Sequence, residues 1–330
     1  MKNSSGPSAN KPSLEIRLAA PRGFCAGVDR AIAIVKSALA ENGPPIYVRH
    51  EIVHNGHVVS ELRELGAVFV DELSEVPADG IVVFSAHGVP KSVPIEAKRR
   101  RMLFVDATCP LVSKVHREVE HHVRSGRTVL LIGHQGHPEV AGTMGQVSTG
   151  SVLLIESPED ARSIDVPDPK HLAFATQTTL SVRDTSEIIG VLRERFPDIN
   201  GPRNEDICYA TTNRQDAVAA IAPKVDAFFV VGAENSSNSK RLVEVAMNTG
   251  CSNAHLIADA AAIDWDWLNG VRSLGLSAGA SAPEVVVQEI IKACAQNFDI
   301  QVEEEAVTVE NVYFRSPPMP RRKTSAGQTT

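Results

Sequence analysis

The sequence has no apolar run of roughly 18 residues or more, so no membrane-spanning helix is expected. Its opening stretch, Met1–Ser13, is polar and lacks the apolar segment of a secretory signal, so none is expected there either. Positive charge is short. Lys and Arg total 33 against 40 Asp and Glu, a net charge of −7, which argues against nucleic acid as a partner. Cysteines number only five in 330 residues, an odd count that does not build a disulfide framework. No two of them form a CxxC pair, so the usual knuckle of a structural zinc site is missing. No glycine-rich loop ends in a Walker-type lysine, which removes nucleotide triphosphate binding of that kind. With 43% hydrophobic and 22% charged residues, what remains is an ordinary globular chain, cytoplasmic by default and long enough for two or three domains.

Three of the five cysteines share one setting. Leu14–Ala20 reads as a strand, Cys25 follows in Pro-Arg-Gly-Phe-Cys-Ala-Gly, and Val28–Ala40 reads as a helix. The apolar run before Cys109 ends at a turn, and an amphipathic helix opens with Pro110, whose missing N–H suits a first turn. Cys208 precedes the helical pattern Asp216–Ile221. A cysteine at a helix N-terminus meets the positive end of the dipole, which favours its thiolate and makes it a candidate ligand or nucleophile. Any one such cysteine could equally be an inert core residue; three in the same setting point to a shared role. Together they could hold zinc with a fourth ligand or three corners of an iron–sulfur cluster, and the wide single spacings favour the cluster. Three thiolates leave one iron of a cubane open as a Lewis acid, which favours substrate chemistry over electron carriage alone. Cys251 and Cys294 lack the setting and read as core residues.

Short β-rich runs alternate with helical patterns, the signature of α/β folds with parallel sheets. Three stretches repeat one order of strand, polar loop, helix or turn, glycine and strand, beginning at Ile46, Val129 and Phe228. A second strand–loop–helix unit follows in each third. With the cysteine loops this makes three units per third and predicts three similar α/β domains, at 14–108, 109–207 and 208–314, between tails at 1–13 and 315–330. The second tail carries Arg321-Arg322-Lys323 and reads as a solvated, disordered end. Ligands of parallel sheets bind beyond the carboxyl ends of the strands. The polar loops at those ends carry His54, His87, His137, Glu139, Thr178, Ser236, Ser237, Asn238 and Ser281. Each histidine alone reads as a loop residue, and Glu139 alone as a carboxylate serving a helix N-terminus. Taken together with hydroxyls at helix starts, they make an anion pocket in which histidine supplies the positive charge. Glu139 and Thr178 lie in corresponding loops of one third and are expected to face one cavity, the carboxyl holding a proton near neutral pH.

These motifs resemble one family closely, the 4-hydroxy-3-methylbut-2-enyl diphosphate reductases of the methylerythritol phosphate route to isoprenoids. The resemblance rests on Gly-Phe-Cys25-Ala-Gly, His54-Asn, Ser-Ala-His87-Gly, Ala-Thr-Cys109-Pro, Gly-His-Gln-Gly-His137-Pro-Glu139, Thr-Gln-Thr178-Thr, Cys208-Tyr-Ala-Thr-Thr-Asn-Arg-Gln, Ser236-Ser237-Asn238-Ser239 and Gly-Ala-Ser281, in family order. It implies three α/β domains in a pseudo-threefold trefoil around a 4Fe–4S cluster held by Cys25, Cys109 and Cys208. The residues themselves point to Glu139, the one carboxylate set beside a pocket histidine, and Thr178 in the corresponding loop as the catalytic pair. The three histidines, Thr178, Ser236, Ser237, Asn238 and Ser281 would bind the diphosphate. Two electrons and two protons would remove the allylic hydroxyl as water, giving isopentenyl and dimethylallyl diphosphate, with ferredoxin or flavodoxin as donor. The competing readings are an iron–sulfur hydro-lyase that uses the open iron only as a Lewis acid, and a non-catalytic iron–sulfur or zinc sensor.

The contrast between the two kinds of cysteine is testable by metal analysis. Replacing Cys25, Cys109 or Cys208 by Ser is expected to abolish iron and sulfide uptake on anaerobic reconstitution, whereas Cys251→Ala and Cys294→Ala retain it. Retention in the first set removes those residues from the ligand list.

Overall fold

Runs such as Ile81-Val-Val-Phe84 carry apolar side chains on both faces of a strand, so a sheet built from them needs cover on both sides. The protein, here a computed structural model describing residues 11–321, meets that demand three times. Its first elements are β1 (Ser13–Ala20), α1 (Ala26–Asn42), β2 (Ile46–Arg49), α2 (Gly56–Glu64), β3 (Ala67–Val70), β4 (Ile81–Phe84), α3 (Ser92–Arg99), β5 (Leu103–Asp106) and α4 (Pro110–Arg124). Next come β6 (Thr128–Ile132), α5 (Pro138–Met144), β7 (Val152–Ile155), α6 (Pro158–Ser163), β8 (Leu172–Thr176) and α7 (Val182–Arg195). The last are α8 (Tyr209–Ile221), β9 (Ala227–Val231), α9 (Ser237–Thr249), β10 (Ala254–Ile257), β11 (Ser273–Ala278), α10 (Glu284–Asn297) and β12 (Asp299–Ala306). Among the described residues no helix is long and apolar enough to cross a membrane.

All pairings between these strands are parallel, in sheets ordered β3-β2-β4-β5, β7-β6-β8 and β10-β9-β11-β1-β12. The expected α/β class with parallel sheets is thus what the chain adopts. Alternation along each central strand feeds two cores. Ile81 and Val83 of β4 enter one apolar cluster, Val82 and Phe84 the other. Leu130 and Ile132 of β6 part from Val129 and Leu131 in the same way, as do Phe229 and Val231 of β9 from Phe228 and Val230.

The chain forms two compact units. The larger holds residues 24–212 and 311–321 with the first two sheets; the smaller holds 11–23 and 213–310 with the third. Each sheet has a topological switch point, where successive crossovers leave in opposite directions. From β2 the chain passes to β3 and from β4 to β5, so the switch lies between β2 and β4. The same holds between β6 and β8, and between β9 and β11.

Several boundaries differ from the sequence-based expectation. A first domain at 14–108 separates β1 from its sheet, because β1 pairs with β11 and β12 at the far end of the chain. It takes the place beside β11 that β5 has beside β4. Beside β8 that place is held by a single bridge, Ala173 to Asn200, so Cys208 follows no full strand. The helix after Cys208 starts at Tyr209, seven residues earlier than the apolar pattern indicates. Several residues within the expected tails are tied to the fold. Pro12 O accepts from Asp299 N at 2.9 Å, and Lys11 Nζ donates to Ala295 O at 2.8 Å. Arg315 O accepts from Arg30, and Met319 packs against the apolar cluster under α1. Residues 1–10 and 322–330, including Arg322 and Lys323, lie outside the described residues.

In the smaller unit the fully buried Arg214 donates from Nε and NH2 to Gly23 O at 3.0 and 2.7 Å, and from NH1 to Glu310 Oε1 at 2.9 Å. Removing one member of such a pair leaves a buried charge uncompensated. Glu310→Ala is expected to destabilise the unit by about 3 kcal/mol, read as a lowered urea midpoint. An unchanged midpoint would show that the other partners of the guanidinium, Gly23 O among them, suffice.

Candidate functional site

The loops at the two switch points of the larger unit bring the histidines together. His54 lies just before Asn55, the cap of α2, whose side chain accepts from Val58 N at 3.2 Å. Glu51 Oε2 stands 3.0 Å from His54 Nδ1. His87 follows β4, and the next residue, Gly88, turns the chain with φ +84°, where a side chain is strained. Space forbids one too: a Cβ on Gly88 would lie 2.7 Å from the His116 ring, and a Cβ on Gly142 would lie 3.2 Å from the Gly88 backbone. The loop of His87 and helix α5 therefore meet backbone to backbone. His137 caps α5, its Nδ1 accepting from Glu139 N at 3.1 Å, with Pro138 in the first turn. The His54 and His87 rings stack with centroids 4.1 Å apart, and His137 stands edge-on to them at 5.7 and 5.9 Å.

Burial decides the charge of two of these rings, His87 and His137. Desolvation, then the charges of His54, His137 and His50, holds His87 well below the usual histidine range. Desolvation, then His54 and His134, lowers His137 to about 4. The expectation that histidine supplies positive charge is therefore corrected for the ligand-free protein: His87 and His137 are neutral at pH 7. With Nδ1 accepting, His137 carries its hydrogen on Nε2, so it presents an N–H donor. His87 Nδ1 is buried with no partner among the described residues.

Glu139 and Thr178 meet across the switch point between β6 and β8. Thr178 N donates to Glu139 Oε1 at 2.6 Å and Thr178 Oγ1 to Oε2 at 2.9 Å, both groups buried. Desolvation and the nearby Asp206 charge outweigh those two bonds and raise the carboxyl to about 7.

The three thiols converge in the same unit. A Cβ on Gly27 would lie 2.8 Å from Cys109 Sγ and 3.7 Å from Cys25 Sγ, so the bare glycine makes the cradle in which these sulfurs sit. Cys208 Sγ lies 3.3 Å from Thr211 Oγ1. Here too a sequence expectation is reversed. The first N–H groups of α4, at Leu111 and Val112, do favour the Cys109 thiolate, but burial outweighs them. Desolvation, with the charges of Cys25 and Cys208 adding, pushes Cys109 up to about 12. Cys208 rises to about 11 through burial, Cys25 and Glu139. Among the described residues no group of three or more His, Cys, Asp or Glu is arranged to hold a metal ion. The donor set is nonetheless the soft one that iron–sulfur clusters take, and each sulfur lies near enough to act on the next.

In the smaller unit Ser236, Ser237, Asn238 and Ser281 occupy the switch point between β9 and β11. Ser236 caps α9, its Oγ accepting from Ser239 N at 3.3 Å and from Ser239 Oγ at 3.0 Å. Asn238 Oδ1 accepts from Ala280 N at 2.9 Å and so ties this loop to the one bearing Ser281. Helix N-termini edged with hydroxyls are suited to phosphate oxygens.

A family model described as LytB protein matches residues 16–295. The chain belongs to the LytB protein family. A curated relative from Hyphomonas neptunium, named 4-hydroxy-3-methylbut-2-enyl diphosphate reductase, is 61% identical over 93% of this chain and 98% of its own length. One of the same name from Cereibacter sphaeroides is 60% identical, over 93% and 96%. The solved E-1-hydroxy-2-methyl-but-2-enyl-4-diphosphate reductase of Plasmodium falciparum superposes with a TM-score of 0.87 at 36% identity, covering 93% of this chain and 96% of that one. The family is one of reductases, and this member is an oxidoreductase.

Sequence reasoning missed two residues beside the site. Asp206 accepts from Thr176 N at 3.0 Å and from Lys114 Nζ at 3.0 Å, anchoring the approach to Cys208; its place two residues ahead of that cysteine was the available signal. His116, buried on α4, packs against Gly88.

A neutral buried histidine makes stability depend on pH. With the folded value near 4 and the unfolded one near 6.5, His137 contributes full stability above 6.5 and loses it as pH falls towards 4. Glu139, raised, contributes in the opposite sense, so the variant is compared with the parent at each pH. His137→Asn keeps a capping side chain but cannot titrate. Between pH 6.5 and 4.5 the parent is expected to lose about 2 kcal/mol more than the variant, measured by denaturant unfolding. Parallel curves would show that His137 is solvated.

Proposed function

We propose that this oxidoreductase converts (E)-4-hydroxy-3-methylbut-2-enyl diphosphate to isopentenyl and dimethylallyl diphosphate. The allylic C–O bond breaks, two electrons and two protons enter, and water leaves. The observation that carries the reading is a buried carboxyl near pH 7, bonded to Thr178, in the unit where three thiols and three histidine rings also gather. Cys25, Cys109 and Cys208 would hold a 4Fe–4S cluster, which when bound supplies electrons and a Lewis-acidic iron. Ferredoxin or flavodoxin is the assigned class of donor.

The residues divide the remaining tasks. Neutral imidazoles bind a diphosphate by donating N–H bonds and by taking up protons once the anion is near, since a neighbouring negative charge raises their pKa. His87 and His137 have this role, and His54, stacked on His87, is assigned to the same diphosphate. The hydroxyls and amide of Ser236, Ser237, Asn238 and Ser281 are assigned to phosphate oxygens as well. Anchoring the diphosphate provides binding energy remote from the reacting carbon and orients it. Hydroxide is a poor leaving group and needs a proton at its oxygen. In the ionised state Thr178 Oγ1 donates to Glu139; with Glu139 protonated the bond reverses, and Thr178 can pass its own hydrogen to the leaving hydroxyl. The carboxylate left behind is held by the Thr178 N–H and O–H.

The deciding experiment is anaerobic reconstitution with iron and sulfide, then incubation with the allylic diphosphate and a chemical reductant, with products read by mass spectrometry. Both isoprenoid diphosphates should form only with reductant. Turnover without it would instead indicate the hydro-lyase, and absence of iron and of diphosphate binding would overturn the reading. Glu139→Gln is expected to load iron and bind substrate normally but lose at least roughly 10²-fold in turnover, with Thr178→Ala losing less. Because the acid form is lost as pH rises, turnover of the parent should decline above about 7. Full turnover in Glu139→Gln would place the proton source elsewhere.

A further inference from the structure

The opening turns of α1 touch the surroundings of all three cysteines. The helix starts directly after Cys25. Ala26 N donates to Tyr209 Oη at 3.2 Å, and Tyr209 is the residue after Cys208. Gly27 leaves the room that Cys109 Sγ occupies. Arg30, one turn further on, reaches back to the approach of Cys109: its NH1 donates to Ala107 O at 3.2 Å and to Thr108 O at 3.0 Å. Its Nε donates to Arg315 O at 2.9 Å.

Both carbonyls lie between the end of β5 and the start of α4, on the approach to Cys109. β5 is the edge strand of its sheet, and past its end the chain is tied back to the β4 side through Ala107 N to Phe84 O at 3.1 Å and Cys109 N to Ala86 O at 2.9 Å. Arg30 supplies the matching hold from the α1 side. A guanidinium presents several donors in one rigid plane, so it can span two successive carbonyls and a third acceptor at once; an ammonium is a point donor without that geometry.

We propose that Arg30 is a positioning residue that sets the spacing of the Cys25 and Cys109 thiols before anything binds them. The consequence for cluster assembly rests on the reading of these thiols as cluster ligands; the spacing itself does not. Ligands held in place beforehand lose less freedom on binding, so the prearranged pair takes up its group faster and holds it in one geometry.

The test uses the full-length chain carrying Cys251→Ala and Cys294→Ala, with Arg30 intact, Arg30→Met or Arg30→Lys. In the cluster-free state each is treated with phenylarsine oxide, which must bond two thiols together to be retained, and adduct formation is followed by mass spectrometry. Arg30→Met is expected to capture the arsenical about tenfold more slowly, because a small misplacement of paired groups has effects of at least that order. Arg30→Lys should recover part of the rate. After anaerobic reconstitution, Arg30→Met should show lower iron and sulfide per chain and a broadened electron paramagnetic resonance signal on reduction. A merely structural role would lower the unfolding midpoint while leaving capture and line shape alone. Capture at the parental rate with parental iron content and line shape overturns the proposal. If the parent takes up no iron, the cluster reading fails by itself, and the arsenical comparison still decides the role of Arg30.

Discussion

Removal from water governs the chemistry of the larger unit. It raises the Cys109 and Cys208 thiols, raises the Glu139 carboxyl and lowers His87 and His137, so that acids keep their protons and bases stay without them. The local bonds run the other way at several of these groups. Helix N–H groups at Cys109 and the two Thr178 bonds at Glu139 favour charge and are outweighed. Groups biased in this way toward their neutral forms are unsettled by whatever ionic group comes near. An anion would draw protons toward the imidazoles, and a metal taken up by the thiols would expel protons from them.

Such burial needs close approach, and the chain obtains it by omitting side chains. Gly27 yields its place to a sulfur, and Gly142 lets α5 rest on the backbone that follows His87. Gly232 and Gly279 do the same around Ser239, where a Cβ on either would lie within 2.2 Å of the hydroxyl. These positions stand directly after strands or within the first turns of helices, the places where a doubly wound sheet gathers its functional loops.

Much of this was legible in the sequence. The strands at Ala67–Val70 and Val152–Ile155 follow from continuous apolar runs, and the loop residues follow from their position after such runs. The three cysteines are recognisable by setting, and Glu139 by its place beside a loop histidine. What could not be read has a common cause: it depends on partners distant in sequence. Nothing within Leu14–Ala20 says that β11 and β12 will flank it. The polar segment Asp299–Ala306 lacks the apolar alternation of a half-buried strand because it lies at a sheet edge, mostly exposed. The helix at Tyr209 opens with polar residues, so periodicity finds only its second half. The protonation of the thiols turns on burial, which no short motif reports.

The placement of β1 bears on how the chain is made. Of the described elements, β1 leaves the ribosome long before its neighbours β11 and β12. Residues 24–212, which carry both sheets of the larger unit, emerge complete while β1 still waits as an unpaired edge. The third sheet closes only once β11 and β12 have been made. A nascent chain stalled before Ser273 thus exposes β1 without its sheet, a natural handle for chaperones and for proteolytic quality control.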